Sequence, residues 1–385
     1  MSKAVPFNRP YMTGRELSYI AQAHQQGWLA GDGHFTKACH AKLEQITGAK
    51  KALLTHSCTA ALEMAAILAD IGPGDEIIMP SYTFVSTANA FVLRGGVPVF
   101  VDVREDTLNL DESLIRAAIT PRTKAIVPVH YAGVTCAMDE IMAIAEAHSL
   151  LVIEDAAQAF LSSHKGQPAG SIGHLAALSF HETKNVISGE GGALLINDPL
   201  LVERAEIIRE KGTNRAEFFR GEVDKYTWVD LGSSFLPSEL VAAFLYAQLE
   251  DATDITRRRL ALWNQYHSFL ADFESRGICR RPTVPADCVH NGHLYGVRLP
   301  NLQVRSKFIE ELKKSAVHSV FHYVPLHSSP AGRRFGRTAG PLPVTDRIAN
   351  QLVRLPLWIG LQERQREVLD LIAERLAEMP VANFD

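Results

Sequence analysis

The sequence predicts an α/β fold: a large domain with a mostly parallel sheet, followed by a smaller α+β domain. Three observations support this prediction. Short apolar runs rich in Val, Ile and Leu alternate with helix-like segments, as expected for buried parallel strands joined by crossover helices. Gly- and Pro-containing breakers separate these segments. From about Asp251, the predicted strands become shorter and less regular.

The alternation predicts the order of the elements in the large domain. Parallel strands are joined by right-handed crossovers. Ligands of such sheets bind at the carboxyl ends of the strands. Residues that directly follow a strand are therefore the first candidates for chemistry. The expected strands are 52–54, Glu76–Met79, Val97–Val103, Lys124–Val129, Leu150–Ile153 and Ala193–Ile196, and the expected helices are Thr59–Ile71, Ser86–Arg94, Glu112–Ile119 and Met138–His148.

The change in texture near Asp251 predicts the domain boundary. Residues 1–250 are expected to form the large domain with the N-terminal segment, and residues 251–385 the small one. A helix is expected at Ile255–Phe273, followed by short strands and Pro-rich turns.

Composition excludes several functional classes. The 385 residues carry a formal net charge of −4, which leaves no basic excess for nucleic acids or anionic membranes. No apolar run is long enough for a membrane span, and Met1–Pro10 lacks the apolar region of a signal peptide. The five cysteines have no zinc-ligand spacing, so no metal site is expected and a cytoplasmic location fits best.

The first candidate site follows the strand at Leu150–Ile153. Asp155 lies at the ligand edge, where a carboxylate can keep a pyridine nitrogen protonated. Gln158, three residues later, could reach the phenolic oxygen of such a ring. A helix cap or a surface ion pair would explain Asp155 equally well.

The second candidate site is a polar, Gly-flanked turn before the strand Ala193–Ile196. Lys184 lies in this turn, and a desolvated lysine amine forms an imine with an aldehyde. Ser179 and Thr183 supply hydroxyl groups suited to a phosphate. A solvated surface charge is the better interpretation of an isolated lysine, so the case for Lys184 depends on these neighbours.

Two further segments follow strand ends. Ser57, Cys58 and Thr59 precede an expected helix, whose free amides and dipole favour an anion, although a simple helix cap is an alternative. Phe84 could stack on a flat ring, or could equally be a core residue.

Together, these segments resemble the DegT/DnrJ/EryC1/StrS family of nucleotide-sugar aminotransferases. Members depend on pyridoxal 5′-phosphate (PLP) and have the aspartate-aminotransferase fold, known as fold type I. The resemblance extends over nearly the whole chain. The residues that carry it are Ser57–Leu62, Thr83–Ala90, Glu154–Gln158, Ser179–Lys184 and Gly189–Gly192.

The resemblance implies a role for each candidate. Lys184 would bind PLP covalently, Asp155 would pair with the pyridine nitrogen, and Gln158 would contact the phenolic oxygen. Phe84 would stack on the ring. The phosphate would be held by Cys58, Thr59 and Ser179.

The resemblance also implies a homodimer with each active site at the subunit interface, and the sequence departs from the family pattern there. Many members have a Gly-x-Asn-x-Arg segment whose Asn reaches the phosphate in the neighbouring subunit. Here Ser234 stands in place of the Asn and Leu236 in place of the Arg. Cys58 also replaces a common Gly. The second subunit's phosphate contact would therefore be lost or be made by the shorter Ser234.

Four stretches resemble a subgroup of the family that aminates dTDP-4-dehydro-6-deoxy-D-glucose with L-glutamate as amino donor. They are 211–215, 224–228, 232–234 and 321–327. The dTDP-sugar would then contact residues outside the PLP motifs. Alternatively, 211–215 is only a solvated basic turn and 321–327 only an ordinary structural turn. The expected sugar-nucleotide contacts are Asn214, Arg215, His322, Tyr323 and His327. The two glycines in Gly31–Thr36 predict a mobile active-site loop.

Three alternatives to this function remain at the level of the sequence. A PLP-dependent sugar 3-dehydratase of the same fold has His where this chain has Lys184, which argues against dehydration. A 3-keto-sugar aminotransferase of the same family is the second alternative. A non-catalytic regulator that reuses the fold is the third, although it would not need Lys184.

Overall fold

The computed structural model of the protein describes residues 4–379 and Phe384, and its helices and strands alternate as the sequence predicts. The strands are β1 Lys51–Thr55, β2 Glu76–Pro80, β3 Val97–Val101, β4 Thr123–Ile126, β5 Leu151–Asp155, β6 Ser163–His164, β7 Gln167–Pro168, β8 Leu175–Ser179, β9 Gly192–Ile196, β10 Cys288–Val289, β11 Tyr295–Arg298, β12 Val320–Phe321, β13 Arg337–Thr338 and β14 Leu352–Leu355. The α-helices are α1 Glu16–Gln26, α2 His34–Thr47, α3 Cys58–Leu68, α4 Val85–Val92, α5 Ile115–Ala118, α6 Met138–His148, α7 Val202–Arg209, α8 Arg215–Arg220, α9 Glu239–Glu250, α10 Ala252–Phe269, α11 Ala271–Ser275, α12 Leu302–Lys314, α13 Pro330–Phe335, α14 Pro343–Gln351 and α15 Gln365–Ala377.

The large sheet has eight strands in the order β1-β9-β8-β5-β4-β2-β3-β13. Its pairings are parallel from β8 to β13, whereas β9 runs antiparallel to both β1 and β8. This arrangement confirms the predicted mostly parallel α/β sheet. The carboxyl ends of β5 and β8 therefore meet at one edge, and Asp155 and Ser179 are the last residues of these two strands.

Several predicted elements end earlier than expected: α3 ends at Leu68, α4 at Val92 and β3 at Val101. The strand predicted at Lys124–Val129 ends at Ile126 because Pro128 has no N–H to donate to the sheet. The helix predicted at Ile255–Phe273 begins at Ala252 and stops at Phe269, and α11 follows.

The C-terminal part is built on a second sheet, antiparallel, in the order β11-β14-β12. Its core combines residues of α10, α12 and α15 with Val5 from the N-terminal segment, which also bridges Val317. A domain boundary near residue 250 stays a prediction, and the end of the proposed small domain, 380–383 and Asp385, lies outside the described residues. Within the described ranges, no helix is both long and apolar enough to cross a membrane.

A buried carboxylate on β2 forms ion pairs with arginines from two distant segments of the chain. Glu76, at the start of β2, is 1% exposed. Arg337 donates to both of its oxygens, at 3.0 and 2.7 Å, and Arg122 donates at 2.6 Å. The hydrogen bonds from Arg337, opposed by burial and aided by Thr120 and Arg122, lower the pKa of Glu76 to about 2. The edge strand β13 is thus fixed to the sheet by charge-assisted hydrogen bonds.

We expect Glu76→Gln to lower the free energy of unfolding by about 3 kcal/mol, because it leaves Arg337 with no anionic partner. The pKa of the folded carboxyl lies below its ordinary value of 4.5, so the stabilisation is present above that value and is lost as pH falls toward about 2. Urea unfolding of both proteins from pH 7 to pH 2 measures this. A difference between them that does not shrink with acid would contradict the assignment.

Candidate active site

A cavity of about 670 Å³ opens at the carboxyl edge of the large sheet. It is lined by residues from both the large sheet and the C-terminal sheet. Nine of the predicted cofactor and substrate contacts line it together: Cys58, Thr59, Phe84, Asp155, Gln158, Ser179, Lys184, His322 and Tyr323.

The N-terminus of α3 forms one wall. Ser57 caps the helix by accepting a hydrogen bond from the Ala60 amide at 3.0 Å. Within the described part of the chain, the amides of Cys58 and Thr59 have no acceptor, as expected for a first turn. At Gly192, a Cβ would lie 2.4 Å from the Cys58 nitrogen, so only glycine allows β9 to pass this close to the N-terminus of α3. Two free amides at a positive helix end are suited to a phosphate.

Asp155 forms the floor of the cavity and is 5% exposed. Its Oδ2 accepts a hydrogen bond from the Thr87 hydroxyl at 2.7 Å, and its Oδ1 accepts from the Ala157 amide at 3.2 Å. Both donors are neutral, and no described cation forms an ion pair with this carboxylate. Because buried carboxylates are normally paired, a cationic group of a ligand fits this position.

Lys184 lies in a short turn beside this carboxylate. Its backbone amide donates to the His181 carbonyl at 2.9 Å, and the Glu182 amide donates to the Gly189 carbonyl at 2.8 Å, which fixes the turn. Burial lowers the pKa of the Lys184 amine, and Arg354 acts in the same direction, while Cys58 and Asp155 oppose both. An amine with a lowered pKa is more often unprotonated, which is the nucleophilic and basic form.

A hydrogen-bond network orients the opposite wall. Gln158 donates from Nε2 to the Tyr323 hydroxyl at 3.1 Å and accepts at Oε1 from the Ala132 amide at 2.8 Å. The Tyr131 hydroxyl lies 3.0 Å from His322 Nδ1. Burial raises the pKa of Tyr323 and lowers that of His322, so both side chains are neutral near pH 7. Gln158 therefore has a fixed orientation toward the cavity.

Phe84 precedes α4 and is 59% exposed although it lines the cavity. This exposure argues against the core interpretation that the sequence left open. Beside it, the Thr59 and Ser86 hydroxyls lie 2.8 Å apart, which connects the first turn of α3 to that of α4.

Sequence reasoning missed Arg354, which reaches the cavity from β14. Its guanidinium carbon lies 4.7 Å from the centroid of the Phe7 ring, and its buried Nε has no partner among the described residues. Arg259 also lines the cavity, but it donates to the carbonyls of Gly292, His293 and Leu357. Arg354 is therefore the lining arginine whose donors are available to a ligand.

Four predicted site residues lie outside this cavity. Asn214 accepts a hydrogen bond from the Thr227 amide at 2.8 Å, and the Arg215 guanidinium packs over Phe219. Ser234 is exposed and bridges Glu210 in the backbone. His327 lies 2.8 Å from the Ser81 hydroxyl. Within one chain, these four positions do not contribute to the cavity, and their roles stay predictions.

The predicted mobile loop at Gly31–Thr36 is partly wrong. Its second half is the first turn of α2, which begins at His34. The buried carboxylate of Glu239 accepts hydrogen bonds from the amides of Gly33, Phe35 and Thr36 at 2.8–3.1 Å. A distant helix thus supplies the cap that the local sequence lacks, and this fixes the segment.

These residues fit PLP. The free amides of Cys58 and Thr59 suit its phosphate, the uncompensated carboxylate of Asp155 suits a protonated pyridine nitrogen, and the amine of Lys184 suits its aldehyde.

Comparison with known proteins agrees with this geometry. Residues 10–373 match the DegT/DnrJ/EryC1/StrS aminotransferase family. SpsC, a spore coat polysaccharide biosynthesis protein of Bacillus subtilis, is 33% identical over 367 residues, which are 93% of each chain. The structure of DesV from S. venezuelae is 31% identical and superposes with a TM-score of 0.89 over 98% of this chain and 100% of that one. Spr1654 from Streptococcus pneumoniae, solved in a PLP form, is 26% identical with a TM-score of 0.89 over 99% of this chain and 100% of the other.

The family match spans most of the chain, and the two structural matches cover 99% and 98% of it. The chain therefore belongs to the DegT/DnrJ/EryC1/StrS aminotransferase family and is a PLP-dependent sugar aminotransferase of fold type I.

Proposed function

We propose that this enzyme transfers the amino group of L-glutamate to C4 of dTDP-4-dehydro-6-deoxy-D-glucose. The products would be dTDP-4-amino-4,6-dideoxy-D-galactose and 2-oxoglutarate. The observation that carries the aminotransferase part is the convergence of Asp155, Gln158 and Lys184 on one cavity beside the free amides of α3. The sugar and the donor rest on the resemblance of 211–215, 224–228, 232–234 and 321–327 to the subgroup described above.

We assign the PLP contacts by their chemistry. Lys184 would hold the aldehyde carbon covalently, Asp155 the pyridine nitrogen and Gln158 the phenolic oxygen, while Phe84 would stack on the ring. The phosphate would be held by Cys58, Thr59 and Ser179. Bound PLP supplies an electron sink that stabilises negative charge on the carbon losing its proton.

Lys184 then serves as the proton carrier. With PLP and the amino donor bound, its Nζ would accept the proton of the donor Cα, because burial, together with Arg354, lowers the pKa of this amine. In the second half of the reaction, the same Nζ returns a proton to C4 of the sugar. The carboxylate of Asp155 would lie beside the ring, held in place by hydrogen bonds from Thr87 and Ala157.

Arg354 is our candidate for the carboxylate of the amino donor. Amino donors carry at least one carboxylate, and a guanidinium binds it through two parallel hydrogen bonds. Arg354 lines the cavity with a buried Nε that has no described partner, whereas the donors of Arg259 are used by backbone carbonyls. Its cation also stays close enough to Lys184 to lower the pKa of that amine.

We expect Arg354→Met to reduce kcat/KM for glutamate by about 100-fold, since truncating a buried charge pair costs about 3 kcal/mol. The half-reaction of the keto sugar with the aminated cofactor should change far less. Stopped-flow measurement of each half-reaction separates the two. Arg366→Met, an exposed arginine on α15, is the matched control. Equal losses in both halves would contradict a carboxylate-binding role.

Product analysis tests the proposed substrate. The enzyme is incubated with dTDP-4-dehydro-6-deoxy-D-glucose and L-glutamate, and the product is examined by NMR. We expect an amino group at C4 with the galacto configuration. No amination of this sugar, with amination of the isomeric 3-keto sugar instead, would favour the alternative aminotransferase, and loss of the C3 hydroxyl would favour a dehydratase.

We also propose a homodimer with a cytoplasmic location and a role in making cell-surface polysaccharide. The named role of SpsC in spore coat polysaccharide biosynthesis supports the last point. Ser234, Asn214 and Arg215 lie away from the cavity of their own chain and would reach the site of a second subunit. His327, linked to Ser81 at the end of β2, would support the sugar-binding wall from behind.

A further inference from the structure

Metal-ligand side chains cluster on the small sheet β10-β6-β7, outside the active site. His164, Asp287 and Cys288 each place one ligand atom within 4.8 Å of the others. In the antiparallel pair of β6 and β10, His164 lies directly opposite Cys288, so their side chains project from the same face. Sequence spacing could not reveal this cluster because its members come from distant segments.

The distances are close to those of a tetrahedral zinc site. Cys288 Sγ lies 3.9 Å from His164 Nδ1 and 3.8 Å from Asp287 Oδ1. Zinc binds thiolate at about 2.3 Å and imidazole at about 2.0 Å, which places neighbouring ligand atoms about 3.5 Å apart. Thr135 adds a hydroxyl 2.9 Å and a carbonyl oxygen 3.9 Å from the sulfur. Small inward movements would therefore complete the coordination with one more oxygen or a water.

The surroundings of His164 are those of a metal ligand. The residue is 3% exposed, and within the described chain its buried Nε2 has no aligned hydrogen-bond partner. Asp139 Oδ1 lies 3.4 Å from this nitrogen, and the other oxygen of Asp139 is held by Lys165. Metal-binding histidines usually direct their second nitrogen to a carboxylate in this way, which leaves Nδ1 free to coordinate.

We propose that Cys288, His164 and Asp287 bind Zn²⁺, with Asp139 as the residue that orients the imidazole. The thiolate and one carboxylate balance the two charges of the ion, and sulfur with nitrogen favours zinc over calcium or magnesium. The ion would join the β6–β7 hairpin to β10. Three residues after Cys288, the side-chain amide of Asn291 donates to the carbonyls of Gln158 and Phe160, both at 2.9 Å. The site would thus stabilise a segment that supports the cofactor pocket.

Equilibrium dialysis of the PLP-loaded, chelator-treated enzyme against buffered Zn²⁺ tests this proposal. We expect one zinc per chain, an affinity at least tenfold weaker in Cys288→Ser and His164→Gln, and one about 10- to 100-fold weaker in Asp139→Asn. The melting temperature of the wild type should rise with zinc, and that of Cys288→Ser should not. Cys279→Ser, a buried cysteine elsewhere, should bind zinc like the wild type.

Two outcomes would overturn the proposal: no zinc bound by the wild type, or zinc binding that is unchanged in Cys288→Ser and His164→Gln. In the second case, loss of zinc binding in Cys58→Ser would place the ion at the active-site thiol. If Cys288→Ser does not fold, Co²⁺ titration of the wild type decides, because a thiolate ligand gives a charge-transfer band that Asp139→Asn should weaken.

Discussion

Lys184→Ala should reduce amino transfer by at least about 10⁴-fold, because one side chain supplies both the covalent attachment and the proton acceptor. No other lysine lines the cavity in the described part of the chain. Single-turnover measurement with glutamate detects the loss, and the visible absorption of the bound cofactor should change at the same time. Amino transfer at more than a few per cent of the wild-type rate would contradict the assignment.

Two variants separate chemistry from folding in that experiment. Lys184→Arg keeps the positive charge and the length, but a guanidinium does not lose its proton near neutral pH, so this variant should be as inactive as the alanine. Lys314→Ala removes an exposed lysine from the end of α12 and should keep full activity. Cofactor content and circular dichroism are compared for all variants.

Asp155→Asn should lower kcat by about 100- to 1000-fold while cofactor binding largely persists. The asparagine oxygen can still accept a hydrogen bond from Thr87 or Ala157, so the local geometry is retained. What disappears is the negative charge that keeps the pyridine nitrogen protonated, and with it the capacity of the ring to accept electrons. Steady-state kinetics at saturating glutamate measures the effect.

Thr87→Val is the matched control for this variant. Thr87 is fully buried and donates to Asp155 Oδ2, so its loss disturbs the position of the carboxylate but not its charge. We expect about a tenfold loss, in line with a single hydrogen bond to a charged group. Equal effects of Asp155→Asn and Thr87→Val would mean that position, and not charge, is what the ring requires.

The PLP-contact side of the candidate site could be predicted from the sequence because it follows strand ends of one parallel sheet. Asp155 follows the predicted strand that is β5, and α3 begins three residues after β1, whereas Ser179 ends β8, a strand that is not among the predicted ones. Buried apolar runs and breakers locate such ends without tertiary information. These neighbours distinguish Lys184 from the other lysines of the sequence as the candidate for PLP attachment.

The donor side could not be predicted in this way. Arg354 lies on a strand of the C-terminal sheet, and its arrival at the cavity depends on how the two sheets pack, which no local pattern encodes. The cap that Glu239 supplies to α2 could not be predicted for the same reason. Its hydrogen bonds hold a segment that the sequence predicts to be a mobile loop. Pro128 shows the opposite case, since a residue visible in the sequence already forbids the longer strand.

Mapping the covalent attachment tests the central claim most directly. The PLP-loaded enzyme is reduced with borohydride, digested and examined by mass spectrometry for a phosphopyridoxyl group. We predict this group on the peptide that contains Lys184, with none in Lys184→Arg. Modification of a different lysine in the wild type, or no modification of a protein that carries bound PLP, would contradict the account.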